Sequence, residues 1–370
     1  MRPLAQEILS HLPADTARPP LKPGGDDAEL EAVLATLKTT IKIIGCGGGG
    51  CNTINRLTEQ GLSGAVTIAA NTDAQHLLTI HSDRKVLLGR RLTRGLGAGA
   101  LPDVGERAAQ EASDDLKALL ANSDMVFITL GLGGGTGTGS APVVAEIAKA
   151  SGGDPLTIAV ATLPFTSEGT VRTENALAGL ERLSSVVDTV ITIPNDRLLE
   201  LVPRLPVQTA FKVADSVLAS AIRGITEIIT RPGLVNLDFN DLRTILKGGG
   251  VALIGIGESE SDNRAEDAVM EAINSPLLRV DIAGATGALI NVTGGPDMTV
   301  SEAQKASEIV QKTISPNARI IWGANIDPTM QATIRVLLVV TGVKSPQILG
   351  ASSAGSHGSR AHEHEIETVR

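Results

Sequence analysis

Three runs of glycine are the residues in this sequence whose type and spacing could do chemistry. They are "CGGGGCN" (46–52), "RGLGAGA" (94–100) and "GLGGGTGTG" (131–139), and the last holds six glycines in nine positions. Glycine loses the most backbone freedom on folding, so such clusters belong where the backbone must approach something closely. A tight strand-to-helix turn would need only one or two. A glycine loop entering a helix aims free backbone N–H groups at one spot. The helix dipole adds partial positive charge there, which suits a phosphate. No Lys follows the glycines, so this is not a Walker-type loop. Phosphate charge must then be balanced by amides, hydroxyls, helix dipoles and a Mg²⁺ ion.

The elements that must position these loops alternate. "TIKIIG", "AVTIAANTD", "KVLLG", "MVFITL", "LTIAVATLP" and "TVITIP" read as strands, with helical segments between most of them. One helix is expected around Glu106–Ala121. Another is expected after the third glycine run, with Ser140 as its cap and Pro142 in its first turn. This pattern predicts an α/β, doubly wound, mostly parallel sheet of Rossmann type, with ligands beyond the carboxyl ends of its strands. Val207–Thr230 reads as a long, largely apolar helix of roughly 36 Å, buried between two domains. A second, smaller α/β domain follows. The expected boundaries are 1–39 for a partly flexible extension, 40–206 for the first domain, 207–230 for the central helix, 231–241 for a loop, 242–345 for the second domain and 346–370 for a disordered tail. Pro3 to Leu12 reads as a short helix within the extension.

Composition narrows the classes. A net charge of −9 with no basic stripe argues against nucleic acid as a partner. Four Phe, one Trp and no Tyr leave the core to Ile, Val, Leu and Ala. Two cysteines, Cys46 and Cys51, allow at most one local bridge and fit a reducing cytoplasm. Buried inert thiols and a redox pair both remain open for them. No uncharged apolar run reaches 18 residues, so direct membrane insertion is not expected.

Gly45-x-Gly47-x-x-Gly50 also matches the dinucleotide fingerprint, with Asp73 as the ribose acid of an NAD-dependent dehydrogenase. One pyrophosphate needs one cradle, however. Three loops converging on one sheet edge suit a triphosphate better.

"GGGTGTGSAPVVAEIAK", with "NTDAQHL", "LTRGLGAGA", "ITIPNDRLLELVP", "AFKVADSVL" and "NLDFNDLRTIL", resembles the tubulin/FtsZ family, and within it archaeal FtsZ. The resemblance covers about 40–345. It implies a GTP-binding, GTP-hydrolysing cytoskeletal protein of cell division that polymerises head to tail, in the cytoplasm at a mid-cell ring. A non-hydrolysing nucleotide-bound scaffold is the alternative. It also implies site residues. Gly47, Gly48, Gly49, Gly50, Cys51 and Asn52, with Gly135, Thr136, Gly137, Thr138 and Gly139, would hold the α- and β-phosphates of GTP or GDP. Ala98, Gly99 and Ala100 would reach the γ-phosphate. Asn71 and Asp73 would meet the Mg²⁺ end, Asp73 through water. Glu168 and Arg172 would hold the ribose. Asn195, Phe211 and Asp215 would contact the base. Phe211 and Asp215 share a helix face, and a carboxylate can accept from guanine N1–H and N2–H₂ together, which adenine cannot satisfy.

"NLDFND" carries Asn236, Asp238 and Asp241 just beyond the long helix. The glycine loops lie at that helix's other end, so these residues cannot serve their own site. A head-to-tail filament, which the resemblance implies, would bring them to the next subunit's γ-phosphate, where two carboxylates could orient water. An Asx-rich turn capping the following helix is the plainer reading. The expected partners are further copies of the chain and adaptors that tether it to the membrane. Which adaptor does so is left open.

Overall fold

The parallel strands read from sequence assemble in the order that creates a binding crevice. The computed structural model describes residues 39–201, 207–230, 238–278 and 282–343. The Pro3–Leu12 segment, Asn236 and the 346–370 tail lie outside the described residues. The first half runs β1 (Ile41–Cys46), α1 (Gly47–Glu59), β2 (Ala65–Asn71), α2 (Ala74–Thr79), β3 (Arg84–Leu87), α3 (Pro102–Glu111), α4 (Ser113–Leu120), β4 (Met125–Gly131), α5 (Thr136–Ala150), β5 (Leu156–Leu163), α6 (Thr170–Val186), β6 (Thr189–Pro194) and α7 (Asn195–Leu201). Its strands lie side by side as β3-β2-β1-β4-β5-β6, all parallel. The order reverses between β1 and β4, which is where such sheets open a ligand crevice. Register pairs Cys46 with Leu130, so the loops after β1 and β4 leave the sheet edge together.

Alternation along β4 builds two core layers. Val126, Ile128 and Leu130 join the layer under α3, α5 and α6, whereas Met125 and Phe127 join the layer under α1. Both faces are covered, which is why these strands read as continuous apolar runs.

The long helix α8 (Val207–Thr230) and α9 (Phe239–Leu246) follow. The second half comprises β7 (Gly250–Ser259), α10 (Arg264–Ile273), β8 (Gly287–Gly294), α11 (Val300–Thr313), β9 (Arg319–Ile326) and β10 (Ile334–Thr341). It does not form a separate sheet. Strand β7 pairs in parallel with β6 (Val190 with Val251), so one ten-stranded sheet continues as β7-β10-β8-β9. Strand β10 runs antiparallel to β7 and β8. Helix α8 spans the junction: Leu218, Ile222 and Ile225 are buried with Val160 and Ile193 of the first half and Leu289 and Val339 of the second.

Two helix expectations are corrected. The single helix over 106–121 is two, α3 and α4, and α3 starts earlier, with Pro102 in its first turn. Ser140 is not a cap. Helix α5 starts one turn earlier at Thr136, and Pro142 lies inside it.

Candidate nucleotide-binding site

Helices α1 and α5 begin at the crevice without side-chain caps. Cys46 and Gly135 occupy their cap positions, and neither makes a side-chain cap bond. No acidic residue stands in either first turn. A helix start leaves several N–H groups without partners, and two such starts side by side form a site for anions. The two starts are in backbone contact. Gly47 has a φ of +71°, and a Cβ there would stand 2.7 Å from Gly137 N. The third glycine loop closes in from the side. Thr72 and Thr136 hydroxyls are 2.6 Å apart, Gly97 N–H donates to Thr72 O, and a Cβ on Gly135 would come within 3.0 Å of Ala98 Cβ.

The cleft between these loops holds about 390 Å³, within the range of small-molecule sites. Its far end is lined by Asn195, Phe211 and Asp215. Phe211 is 41% exposed and packs edge-on against buried Phe165, with ring centroids 5.2 Å apart. One Phe211 face is therefore available to stack on a flat ring. Asn195 is buried, and its Oδ1 finds no hydrogen-bond partner among the described residues. A buried unpaired carbonyl marks a place where a ligand N–H is missing. Burial pushes the Asp215 carboxyl up to about 6, with Arg56 opposing. Glu168 accepts from Phe165 N–H at 2.8 Å and pairs with Arg172 Nε at 3.0 Å, both at the cleft wall.

Two uncapped helix starts, whose free N–H groups suit an anion, and an exposed aromatic ring with a carboxylate line one cleft, a set of groups that a purine nucleotide would match. Comparison with known proteins agrees. Residues 40–203 match the GTPase domain of the Tubulin/FtsZ family, and residues 250–344 match the C-terminal domain of the FtsZ family. The chain is 57% identical to cell division protein FtsZ 1 of Archaeoglobus fulgidus over 352 residues, 95% of each chain. The chain belongs to the FtsZ family. It is 56% identical to FtsZ 1 of Methanocaldococcus jannaschii over 320 residues, covering 86% of this chain and 87% of that one. The solved empty FtsZ dimer of M. jannaschii superposes with a TM-score of 0.83 at 55% identity, over 86% of this chain and 93% of that one. The protein is thus a GTPase of the tubulin type and a GTP-dependent component of the cell-division cytoskeleton.

Within this FtsZ fold the cleft brings together Gly48, Gly49, Asn52, Gly135, Thr136, Gly137, Glu168, Arg172, Asn195, Phe211 and Asp215. The other expected residues that the structure describes do not line it. Gly50 and Gly139 serve packing: a Cβ on Gly50 would lie 2.2 Å from Thr129 O, and one on Gly139 1.9 Å from Pro102 O. Cys51 is buried, and its thiol donates to Gly45 O and Ala70 O. Thr138 Oγ1 accepts from Gly133 N–H and shapes the loop. Asn71 contacts His76, and Asp73 caps α2 by accepting from His76 N–H. Gly99 and Ala100 take left-handed backbone conformations beside the start of α3. Sequence reasoning did not name Gly134, Thr162 or Pro164, which also line the cleft. Thr162 and Pro164 sit at the carboxyl end of β5, and the rule that ligands lie beyond strand ends was the available signal.

Both thiols are free and buried, and burial pushes Cys46 up to about 12 and Cys51 higher still. That chemistry fits inert core thiols and not a redox pair.

Asp238 and Asp241 are exposed and do not line the cleft. Asp238 stands at the cap position of α9, where its backbone carbonyl, not its carboxylate, accepts from Asp241 N–H and Leu242 N–H. Helix α8, roughly 36 Å long, separates them from Phe211 and Asp215 near its start. Arg243 of α9 and Lys247 at its C-terminal end bind the Asp154 carboxylate.

Proposed function

We propose that this chain binds GTP with its phosphates on the starts of α1 and α5 and its guanine between Phe211, Asn195 and Asp215, assembles head to tail, and hydrolyses GTP with Asp238 and Asp241 of the adjoining subunit. The observation that carries the reading is the separation of parts. Phe211 and Asp215, near the start of α8, line the cleft, and the two exposed carboxylates that follow its other end do not. Facing a neighbour's γ-phosphate, such carboxylates orient and polarise a water molecule. Asn236, expected to act with them, lies outside the described residues. Ala98, Gly99 and Ala100 would meet the γ-phosphate, and Glu168 and Arg172 the ribose. The dimeric state of the M. jannaschii relative supports self-association.

Mg²⁺ fits as an ion carried by the phosphates. Among the described residues no three His, Cys, Asp or Glu side chains cluster as a metal set. Asp73 follows β2 next to the phosphate loops, and its Oδ1 accepts from His76 N–H, so it would act on the ion through water. Mg²⁺ commonly takes few protein ligands and keeps water and phosphate oxygens. The cellular setting we infer is a cytoplasmic division ring, tethered by adaptor proteins. Among the described residues no helix is long and apolar enough to cross a membrane.

Mixing tests the shared site. Asp238→Ala should bind GTP normally, polymerise and hydrolyse little. Added to the wild type, it should depress phosphate release beyond dilution, because each variant subunit silences a neighbour's intact cleft. Strictly additive activity across mixing ratios, with polymer present, would overturn the reading.

A further inference from the structure

The His76 ring, on α2, links Asn71 at the end of β2 to Asn52 of α1 and does not itself line the cleft. Its Nδ1 lies 3.1 Å from Asn71 Nδ2, and its Nε2 lies 3.0 Å from Asn52 Oδ1. The direction of this chain can be read from its far end. Asp73 N–H points at Asn71 Oδ1 at 3.3 Å, so that oxygen accepts and the Asn71 amino group faces His76. An amide NH₂ only donates. His76 Nδ1 is therefore the lone-pair nitrogen, and the ring proton sits on Nε2. That proton is donated to Asn52 Oδ1. Asn52 is thereby held with its oxygen toward α2, which leaves its amino group, with two N–H donors, for the cleft it lines. The backbone fixes the ring as well, since His76 N–H donates to Asp73 Oδ1 at 3.0 Å. With the other tautomer, Nδ1–H would meet the Asn71 amino group donor to donor, and Asn52 would turn its oxygen toward the anion.

We propose that His76 is a positioning residue for the nucleotide phosphates: it sets the polarity of Asn52 so that this side chain presents N–H donors, and not its carbonyl, to a phosphate oxygen. This rests on the reading that the cleft holds the phosphates of GTP. Hydrogen bonds to a charged acceptor are about twice as strong as neutral ones, so the orientation of one amide is enough to register in affinity.

The test is a mutant cycle on the full chain, read as dissociation constants for GTP, GDP and inorganic tripolyphosphate and as the thermal midpoint without nucleotide. His76→Ala and Asn52→Ala should each weaken all three ligands by about threefold to tenfold, that is, up to about 1.4 kcal/mol. The double variant should bind no worse than Asn52→Ala, because His76 acts only through Asn52. His76→Gln should recover most of the affinity, since its amide N–H can replace Nε2–H. A residue that merely stabilises the fold would move the midpoint and give additive losses. Additive losses in the double variant, or undiminished affinity in a folded His76→Ala, would overturn the proposal. If His76→Ala does not fold, Asn52→Asp decides: it keeps the acceptor for His76 but removes the donors, so unchanged phosphate affinity refutes the role. Failure of wild type to bind tripolyphosphate or GTP would instead refute the cleft reading itself.

Discussion

In the proposed role Asp215 must be ionised to accept two guanine N–H groups, yet burial pushes its carboxyl up to about 6. Its pKa is raised on folding, so its contribution to stability is fullest at low pH and is lost as pH rises through about 6. Guanine favours the charged form, so binding should strengthen as pH rises over the same window. GTP affinity should fall by up to about tenfold per pH unit below this value, and Asp215→Asn should be weaker at neutral pH and nearly pH-independent. Titration of bound GTP from acid to neutral pH checks this; parallel profiles for the two proteins would remove Asp215 as the base reader. The glycines divide the same way, between ligand and packing. A Cβ on Gly134 meets nothing within 4 Å and stands in the cleft, so Gly134→Ala should fold normally and bind GTP more weakly. A Cβ on Gly139 would strike Pro102 O, so Gly139→Ala should cost about 1–3 kcal/mol in thermal or urea unfolding. The sequence marks both only as members of one glycine run. What separates them is which backbone passes nearby, and the Pro102 carbonyl comes from a segment over thirty residues away.

At the scale of elements, the strand–loop–helix units were legible because fully covered parallel strands read as apolar runs. The start of α5 was not. Ser140 looked like a cap, but the true start leaves its N–H groups uncapped, as an anion site requires. The anchoring of α9 was equally hidden. Arg243 bonds both the backbone oxygen and the carboxylate of Asp154, and Lys247 reaches the same carboxylate. Asp154 sits at a φ of +48° in the turn between α5 and β5. That turn ends the helix whose start holds the phosphate loop, so one 15-residue helix joins the binding end of a subunit to the helix bearing Asp238 and Asp241. The ion pairs are largely exposed, and pairs of this kind add little to stability. Asp154→Gly removes the carboxylate and suits the left-handed backbone. It should leave unfolding and GTP binding nearly unchanged but lower hydrolysis per polymerised subunit, by up to about a hundredfold if the carboxylates shift by an ångström. Phosphate release normalised to sedimented polymer measures this; full turnover would show that α9 needs no anchor.

For the whole molecule, the continuous sheet through β6 and β7 was not visible in the sequence, because that pairing joins segments about sixty residues apart across the long helix. It has a mechanical consequence. The cleft and the carboxylates stand on one stiff body, with α8 buried along it, so a single subunit cannot fold one end onto the other. On the proposed reading, each subunit carries two half-sites that meet only between copies. A filament of n subunits then holds n − 1 complete sites, and a dimer reaches at most half the turnover per subunit of a long filament. Below the polymerisation threshold, GTP binding should still saturate at one per subunit while phosphate release per subunit falls toward zero. Above it, release should rise in proportion to polymer. Asp238→Ala should share the threshold and lack the rise. Phosphate release and light scattering, followed together over a dilution series, measure both quantities. Turnover per subunit that stays constant down to concentrations where no polymer scatters light would mean that one chain suffices, and the carboxylates beyond α8 would need another role.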